Sequence, residues 1–253
     1  MRLSTRLGTN LRGGVSTDRR REDETEVCLL DAFPRLAGEL APDELDQARG
    51  ELTVRIERVP RGRWAPPPQW HRRDDLGLFV VDGLLARDVV VGDTTATELI
   101  GRGDLLRPAD HEGEQAPIPF GVSWTVLEPL SIAILDADVT RAICRWPPLV
   151  VAIMGASVRR AFGLAHLLAL SHLRRVDARL LVMLWHLADR WGTVQAEGVV
   201  VPLRLTHEML GHAVGAQRPS VTTALNQLEA AGRISRRPGG GWVLHGAPPT
   251  DLA

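Results

Sequence analysis

The chain has 253 residues, a formal net charge of −1, 44% hydrophobic residues and 24% charged ones, enough for one large or two ordinary domains with a sizeable core. All 30 basic residues are Arg, with no Lys and no Tyr, which excludes Schiff-base enzymes, P-loop NTPases and conventional protein kinases, since each needs a Lys. Cys28 and Cys144 are the only cysteines; they can supply neither a disulfide framework nor an iron–sulfur cluster, and two reduced thiols in a cytosolic protein are expected.

Residues 1-26 are rich in Arg and lack a hydrophobic block, so they read as a disordered tail and not as a secretory signal. Short apolar helical pieces follow around Val27–Leu36 and Pro42–Gly50. Glu51–Val59 then alternates, with Leu52, Val54 and Ile56 against Thr53, Arg55 and Glu57, the period of a strand. Further strands are predicted at Leu76–Val81, Leu84–Val91, Thr95–Ile100, Val122–Leu127 and Leu130–Leu135, separated by turn signals such as Asp82-Gly83, Gly92-Asp93 and Glu128-Pro129. Many short strands at this spacing indicate a compact β-barrel or roll.

From Asp138 the period becomes helical, and Pro147-Pro148 marks a helix start or a kink. Leu149–Leu173 is apolar on nearly every side, but Arg159 and Arg160 near its middle make a membrane span costly, by about 2.5–3.5 kcal/mol each. A helix that is apolar all round must be covered all round; one face can pack on the roll and the other on a second copy, which predicts a homodimer through Leu149, Ile153, Val158, Phe162, Ala165 and Leu168. Burial within a monomer is the alternative. His166 and His172 fall on different faces of this helix and are not expected to chelate a metal.

Asp177 is a plausible N-cap for a helix over Ala178–Trp191, closed by Gly192. Thr206 can cap a helix running to about Val214; Gly215, Ala216 and Gln217 make a tight turn, and a second helix runs from Arg218 to about Ala231. That is a helix-turn-helix. On the second helix Val221, Ala224, Leu225 and Leu228 point inward, while Thr223 lies about 200° round from Val221 and points outward, flanked by Thr222 and Asn226. Arg218 and Ser220 occupy the first turn, the end that enters the major groove in this motif. Arg233, Arg236 and Arg237, then Gly239 to Gly241 and Trp242, read as a β-hairpin wing with a basic tip. Residues 171–253 carry nine Arg against six carboxylates, a net +3 on an otherwise acidic chain. His207, Glu208 and His212 superficially match a zinc-protease motif, but the position that must carry the second His is Gly211. No nucleophile–base pair is visible, so no enzyme activity and no cofactor are expected. The Trp residues, including Trp64 and Trp70 around Pro66–Pro68, read as core or roll-edge packing.

The order of roll, long helix and winged helix-turn-helix resembles the Crp/Fnr family of bacterial transcription factors. The stretch Leu205–Ile234 looks like the family's helix-turn-helix, and Gly77–Gly83 through Glu98–Asp104 looks like its sensor hairpins and Gly-Asp turn. The resemblance implies an α+β fold: a cyclic-nucleotide-binding-like jelly roll at 27-137, a dimerisation helix and hinge at 138-175, and a winged helix-turn-helix at 176-246 before a short tail at 247-253. It implies a cytoplasmic homodimer that binds double-stranded DNA on a pseudo-palindrome and works with RNA polymerase, without a membrane. Arg218 would be the base-reading Arg, bidentate to guanine, and Ser220 and Thr206 would contact phosphate, with Gln217, Thr222, Thr223, Asn226, Arg236 and Arg237 completing the DNA face.

The chain departs from the family pattern at Pro219, where many relatives carry Glu, and at Thr223, where they carry a second base-reading Arg. A different operator is expected. In the sensor, Gly103-Asp104 leads to Leu105, Leu106, Arg107 and Pro108 instead of the Gly-Glu that holds ribose, and no Arg lies between Pro108 and Arg141 to grip a cyclic phosphate. Gly103, Asp104 and Arg107 are the remaining effector-pocket candidates, and cyclic AMP in the usual pose is not expected. The alternative is a small-molecule- or partner-binding roll whose C-terminal domain mediates protein interaction; salt-dependent binding to random DNA separates the two.

Overall fold

A computed structural model describes residues 25–70, 72, 74–108 and 118–250. Residues 1–24 of the predicted N-terminal tail and the acidic run around Asp110, Glu112 and Glu114 lie outside these residues, whereas Thr25 and Glu26, predicted as tail, belong to the first strand. The chain enters through β1 (Thr25–Cys28), the short helices α1 (Leu29–Ala32) and α2 (Pro34–Ala37), and α3 (Pro42–Glu51). Strands β2 (Thr53–Val59), β3 (Gly62–Trp64), β4 (Gly77–Val91), β5 (Thr94–Gly101), β6 (Leu105–Leu106) and β7 (Gly121–Leu135) complete an antiparallel sheet of order β1-β2-β7-β4-β5, with β3 on β7 and β6 on β4.

Two pairs of predicted strands are each one long strand. β4 runs through Asp82-Gly83, and β7 runs through Glu128-Pro129. The reason is a paired irregularity. The β4–β7 register shifts between Val80 and Leu85, opposite Ile132 to Val126. Pro129, which cannot donate a ladder hydrogen bond, is tolerated at such a bulge. A Cβ on Gly83 would lie 2.2 Å from the Pro129 carbonyl oxygen, so only Gly lets the strands close there. The shift also flips the pleat. Leu78, Val80 and Leu85 point into the roll with Trp124, Val126, Leu130, Ile132 and Ile134, whereas Phe79, Leu84 and Ala86 face outward. Burial on both faces is why these strands read as continuous apolar runs.

The outer face is covered in two places. Phe79, Ala133 and Leu135 pack against the N-terminal helices, α4 (Ala137–Ile143) and the start of α5 (Pro147–Ser171). Asp136 caps α4, its Oδ1 accepting from the Asp138 and Val139 amides at 3.0 Å each. Leu84, Ala86 and Leu99 join the core of the C-terminal domain instead. That domain comprises α6 (Val176–Trp191), β8 (Thr193–Gln195), β9 (Gly198–Val201), α7 (His207–Val214), α8 (Arg218–Ala230), β10 (Ile234–Arg236) and β11 (Trp242–Leu244). Its four strands form a second sheet of order β10-β11-β9-β8. β8 and β9 carried no strand prediction. α6 begins two residues earlier than predicted: Arg175 is the N-cap, and Asp177, inside the helix, pairs with Arg175 at 2.5 Å instead of capping.

Helix α5 is long and apolar enough, by length and composition alone, to cross a membrane. Its faces differ. Leu149 and Ile153 are buried against the roll, so these two residues belong to the chain's own core and not to a dimer interface. Arg160 lies on the same face, roughly opposite to Val151, Met154, Val158, Phe162 and Ala165 at about 100° per residue, with Leu168 at the flank of that outward face. Those six are exposed, Phe162 at 73% and Leu168 at 64%. Arg160 reaches the sheet and pairs with Glu98, which is how an apolar helix accommodates an Arg near its middle.

Candidate nucleic-acid interface

Helices α7 and α8 form the helix-turn-helix. The Thr206 hydroxyl accepts from the Met209 amide at 3.1 Å, capping α7. Gly215 ends the helix in the left-handed region, φ 64°, where Gly pays no Cβ penalty. The turn then folds back so closely that a Cβ on Gly211 would sit 2.4 Å from the Ala216 carbonyl oxygen. The residue that breaks the zinc-protease spacing is thus the residue that lets the two helices meet. Arg179 of α6, which the sequence reading did not single out, donates to the Val214 and Gly215 carbonyl oxygens at 2.9 Å each. It satisfies the C-terminal carbonyls of α7 and places a cation at the negative end of its dipole.

α8 presents two faces as predicted by its spacing. Val221, Ala224, Leu225 and Leu228 are buried. Gln217, Arg218, Ser220, Thr223 and Asn226 are exposed. Pro219 sits in the first turn, where its missing N–H costs nothing, and the Thr223 hydroxyl donates to the Pro219 carbonyl oxygen at 3.2 Å. The Arg218 guanidinium makes no hydrogen bond or ion pair among the described residues.

Thr222 and Arg236 have different surroundings. The Thr222 hydroxyl donates to the Arg218 carbonyl oxygen at 3.1 Å and lies 2.8 Å from His207 Nδ1. With that proton committed, His207 Nδ1 is the donor to Thr222, and Nε2 is left to accept from Arg236 Nη2 at 3.4 Å. A neutral His207 fits this chain of bonds. Burial, with the Arg236 and Arg218 cations second, holds its pKa below the ordinary value. Arg236 also pairs with Glu229 at 2.8 Å and lies over the Trp242 ring at 5.1 Å. Thr222, His207 and Arg236 therefore brace the start of α7, α8 and the wing against one another.

Between the start of α7 and the wing is a cavity of about 450 Å³ lined by Arg204, Thr206, His207, Arg236 and Arg237 among others. Arg204 and its cradle were missed in sequence. A Cβ on Gly240 would lie 2.8 Å from the Arg204 side chain, so the Gly run of the wing tip is what lets the chain close over that arginine. Cationic side chains, a helix start and wing backbone together suit an anion.

The effector-pocket candidates are engaged elsewhere. Asp104 is buried, and its Oδ2 accepts from the Gly101 amide at 2.9 Å and from Arg190 Nη2 of α6 at 2.5 Å. Arg107 donates to the Asp75 carbonyl oxygen at 2.7 Å. Gly103 has φ 89° and packs against Phe33. Trp64 and Trp124 pair across strands at 6.3 Å, with Trp70 beside them. His166 stacks on His186 of α6 at 5.5 Å.

The chain combines a β-roll, a long helix with an exposed apolar face and a winged helix-turn-helix whose second helix is exposed. Residues 178–245 match the family of Crp-like helix-turn-helix domains. The chain is 36% identical over 74 residues to the regulatory protein CysR of Synechococcus elongatus, a match covering 28% of this chain and 36% of CysR. The chain thus spans about a third of the length of that curated relative. Among solved structures, a cyclic nucleotide-binding domain containing protein from Listeria monocytogenes superposes with a TM-score of 0.62 at 16% identity, over 84% of this chain and 97% of that one. FixK2 of Bradyrhizobium japonicum gives 0.58 at 13% identity, over 76% and 93%. The C-terminal domain is a Crp-like helix-turn-helix domain, and the likeness to these solved structures is one of fold.

Proposed function

We propose that this chain is a sequence-specific DNA-binding transcription regulator, not an enzyme, acting in the cytoplasm as a homodimer on a pseudo-palindromic site and working with RNA polymerase. The observation that carries the reading is the Arg218 guanidinium, without a partner among the described residues, in the first turn of an exposed helix, the position from which an Arg can grip guanine O6 and N7. Gln217, Ser220, Thr223 and Asn226 share its face; Thr206 would hydrogen-bond to a backbone phosphate, and Arg204 and Arg237 would neutralise phosphates. The apolar face of α5, from Val151 to Leu168, supports a second copy as its cover. Control by cyclic AMP in the usual pose is not part of this reading, because Asp104 and Arg107 already have partners within the chain.

Nuclease protection on genomic fragments tests the proposal. Two half-sites with centres about 34–36 Å apart are expected, with affinity falling steeply as salt rises. Protection of a single half-site, or binding indifferent to salt, contradicts it.

A further inference from the structure

Five charged side chains meet where the roll, α5 and α6 come together. Glu98 of β5, 7% exposed, is held by Arg160 of α5 at 2.6 and 3.0 Å and by Arg87 of β4 at 2.5 Å. Arg160 also donates to the Leu105 carbonyl oxygen at 2.7 Å. Beside it, Asp104 receives Arg190 of α6 at 2.5 Å, and the Arg190 guanidinium lies 4.2 Å from the ring centre of Trp191. Trp191 in turn is seated on Gly101, where a Cβ would be 2.9 Å from its Nε1. Under this rim Leu84, Ala86 and Leu99 of the roll are continuous with the core of the C-terminal domain.

The two layers of the contact do different work. Apolar contact is non-directional and tolerates sliding. Arg–carboxylate pairs have a fixed geometry, and separating a buried pair leaves an uncompensated charge. Burial pushes the Glu98 carboxyl up, but its hydrogen bonds and the surrounding guanidiniums of Arg160, Arg87 and Arg190 outweigh this and hold it below the usual carboxylate range. Glu98 is therefore charged at neutral pH, and the geometry of the rim selects one orientation from those the apolar patch would allow. In that orientation Gln217, Arg218, Ser220, Thr223 and Asn226 are all exposed, so docking leaves the recognition face open.

We propose that the Asp104–Arg190 clasp, with Trp191 seated on Gly101, positions the DNA-binding domain: it fixes α8 relative to the roll and α5, and so fixes the separation of the two recognition helices in the dimer. The Gly-Asp turn that resemblance would give to a ligand serves here as an attachment point for the chain's own α6. Arg190, Trp191 and Asp104 are positioning residues and touch no DNA. This rests on the DNA-binding homodimer proposed above.

The test uses the full chain with a duplex that the wild type selects from a random-sequence library, and the same duplex with one half-site scrambled. Arg190→Ala and Gly101→Val are expected to weaken binding to the two-half-site duplex roughly tenfold or more and to the scrambled one less than roughly threefold, because only the first needs both helices in register. Arg190→Lys, which keeps a cation facing Asp104, should recover most of the loss. Small-angle scattering should give a larger radius of gyration for Arg190→Ala and Gly101→Val than for wild type or Arg190→Lys. Equal losses on both duplexes, unchanged affinity or tighter binding would overturn the proposal. If the wild type selects no duplex, the DNA reading fails, and scattering still decides the clasp: an unchanged radius for Arg190→Ala overturns it, and a larger one supports it.

Discussion

Arg236 gives its guanidinium to Glu229 and to the face of Trp242, whereas Arg218 carries the same charge with no partner within the described chain. The difference decides which of the two is available to a base edge. His186 shows how neighbours set a titration. Burial lowers its pKa below the ordinary 6.5, with His166 and Arg190 adding to the effect and Asp189 opposing it. A lowered pKa means that the folded chain binds fewer protons than the unfolded one between the two values. Stability is thus complete above about pH 6.5 and falls as pH drops toward the folded value. Melting temperatures measured from about pH 7.5 down to about pH 5 should fall more steeply for the wild type than for His186→Gln. Parallel curves would contradict the assignment of His186 as a neutral histidine between α5 and α6.

At the scale of elements, α5 is the most informative. Its inward face holds Leu149 and Ile153 in the roll's outer core, and its outward face leaves Val151, Met154, Val158, Phe162 and Leu168 bare. Phe162→Glu is expected to halve the mass seen by sedimentation while leaving the melting temperature of the separated chain little changed. Leu149→Ala should cost about 2–5 kcal/mol of stability and keep the dimer. A Phe162→Glu chain that sediments like the wild type would remove this face from the interface. The sequence could not separate the two faces, because a helix apolar all round has no stripe to read; only the placement of the sheet distinguishes Leu149 from Val151. The helix-turn-helix was legible for the opposite reason. Its cap, its left-handed Gly215 and the spacing of Val221, Ala224, Leu225 and Leu228 are all local. The long strands β4 and β7 were misread as four because Gly83 and Pro129, each a turn signal alone, face each other across a bulge.

At the scale of the whole molecule, the roll and the winged helix are joined by a shared apolar core and a charged rim. The rim was not legible in sequence, since Glu98 meets Arg160 and Asp104 meets Arg190 across 62 and 86 residues, and a turn that resembles a ligand loop gives no sign that its carboxylate is already taken. The acidic N-terminal part and the +3 C-terminal part of the chain would confine the proposed attraction for DNA to one end. Within that end the account assigns base reading to Arg218. The most direct test is the affinity of Arg218→Ala for a duplex selected by the wild type, and for variants of it at each position. A loss of about 1–3 kcal/mol with relaxed preference at one position per half-site is expected. Binding as tight and as selective as the wild type would contradict the assignment of α8 as the recognition helix.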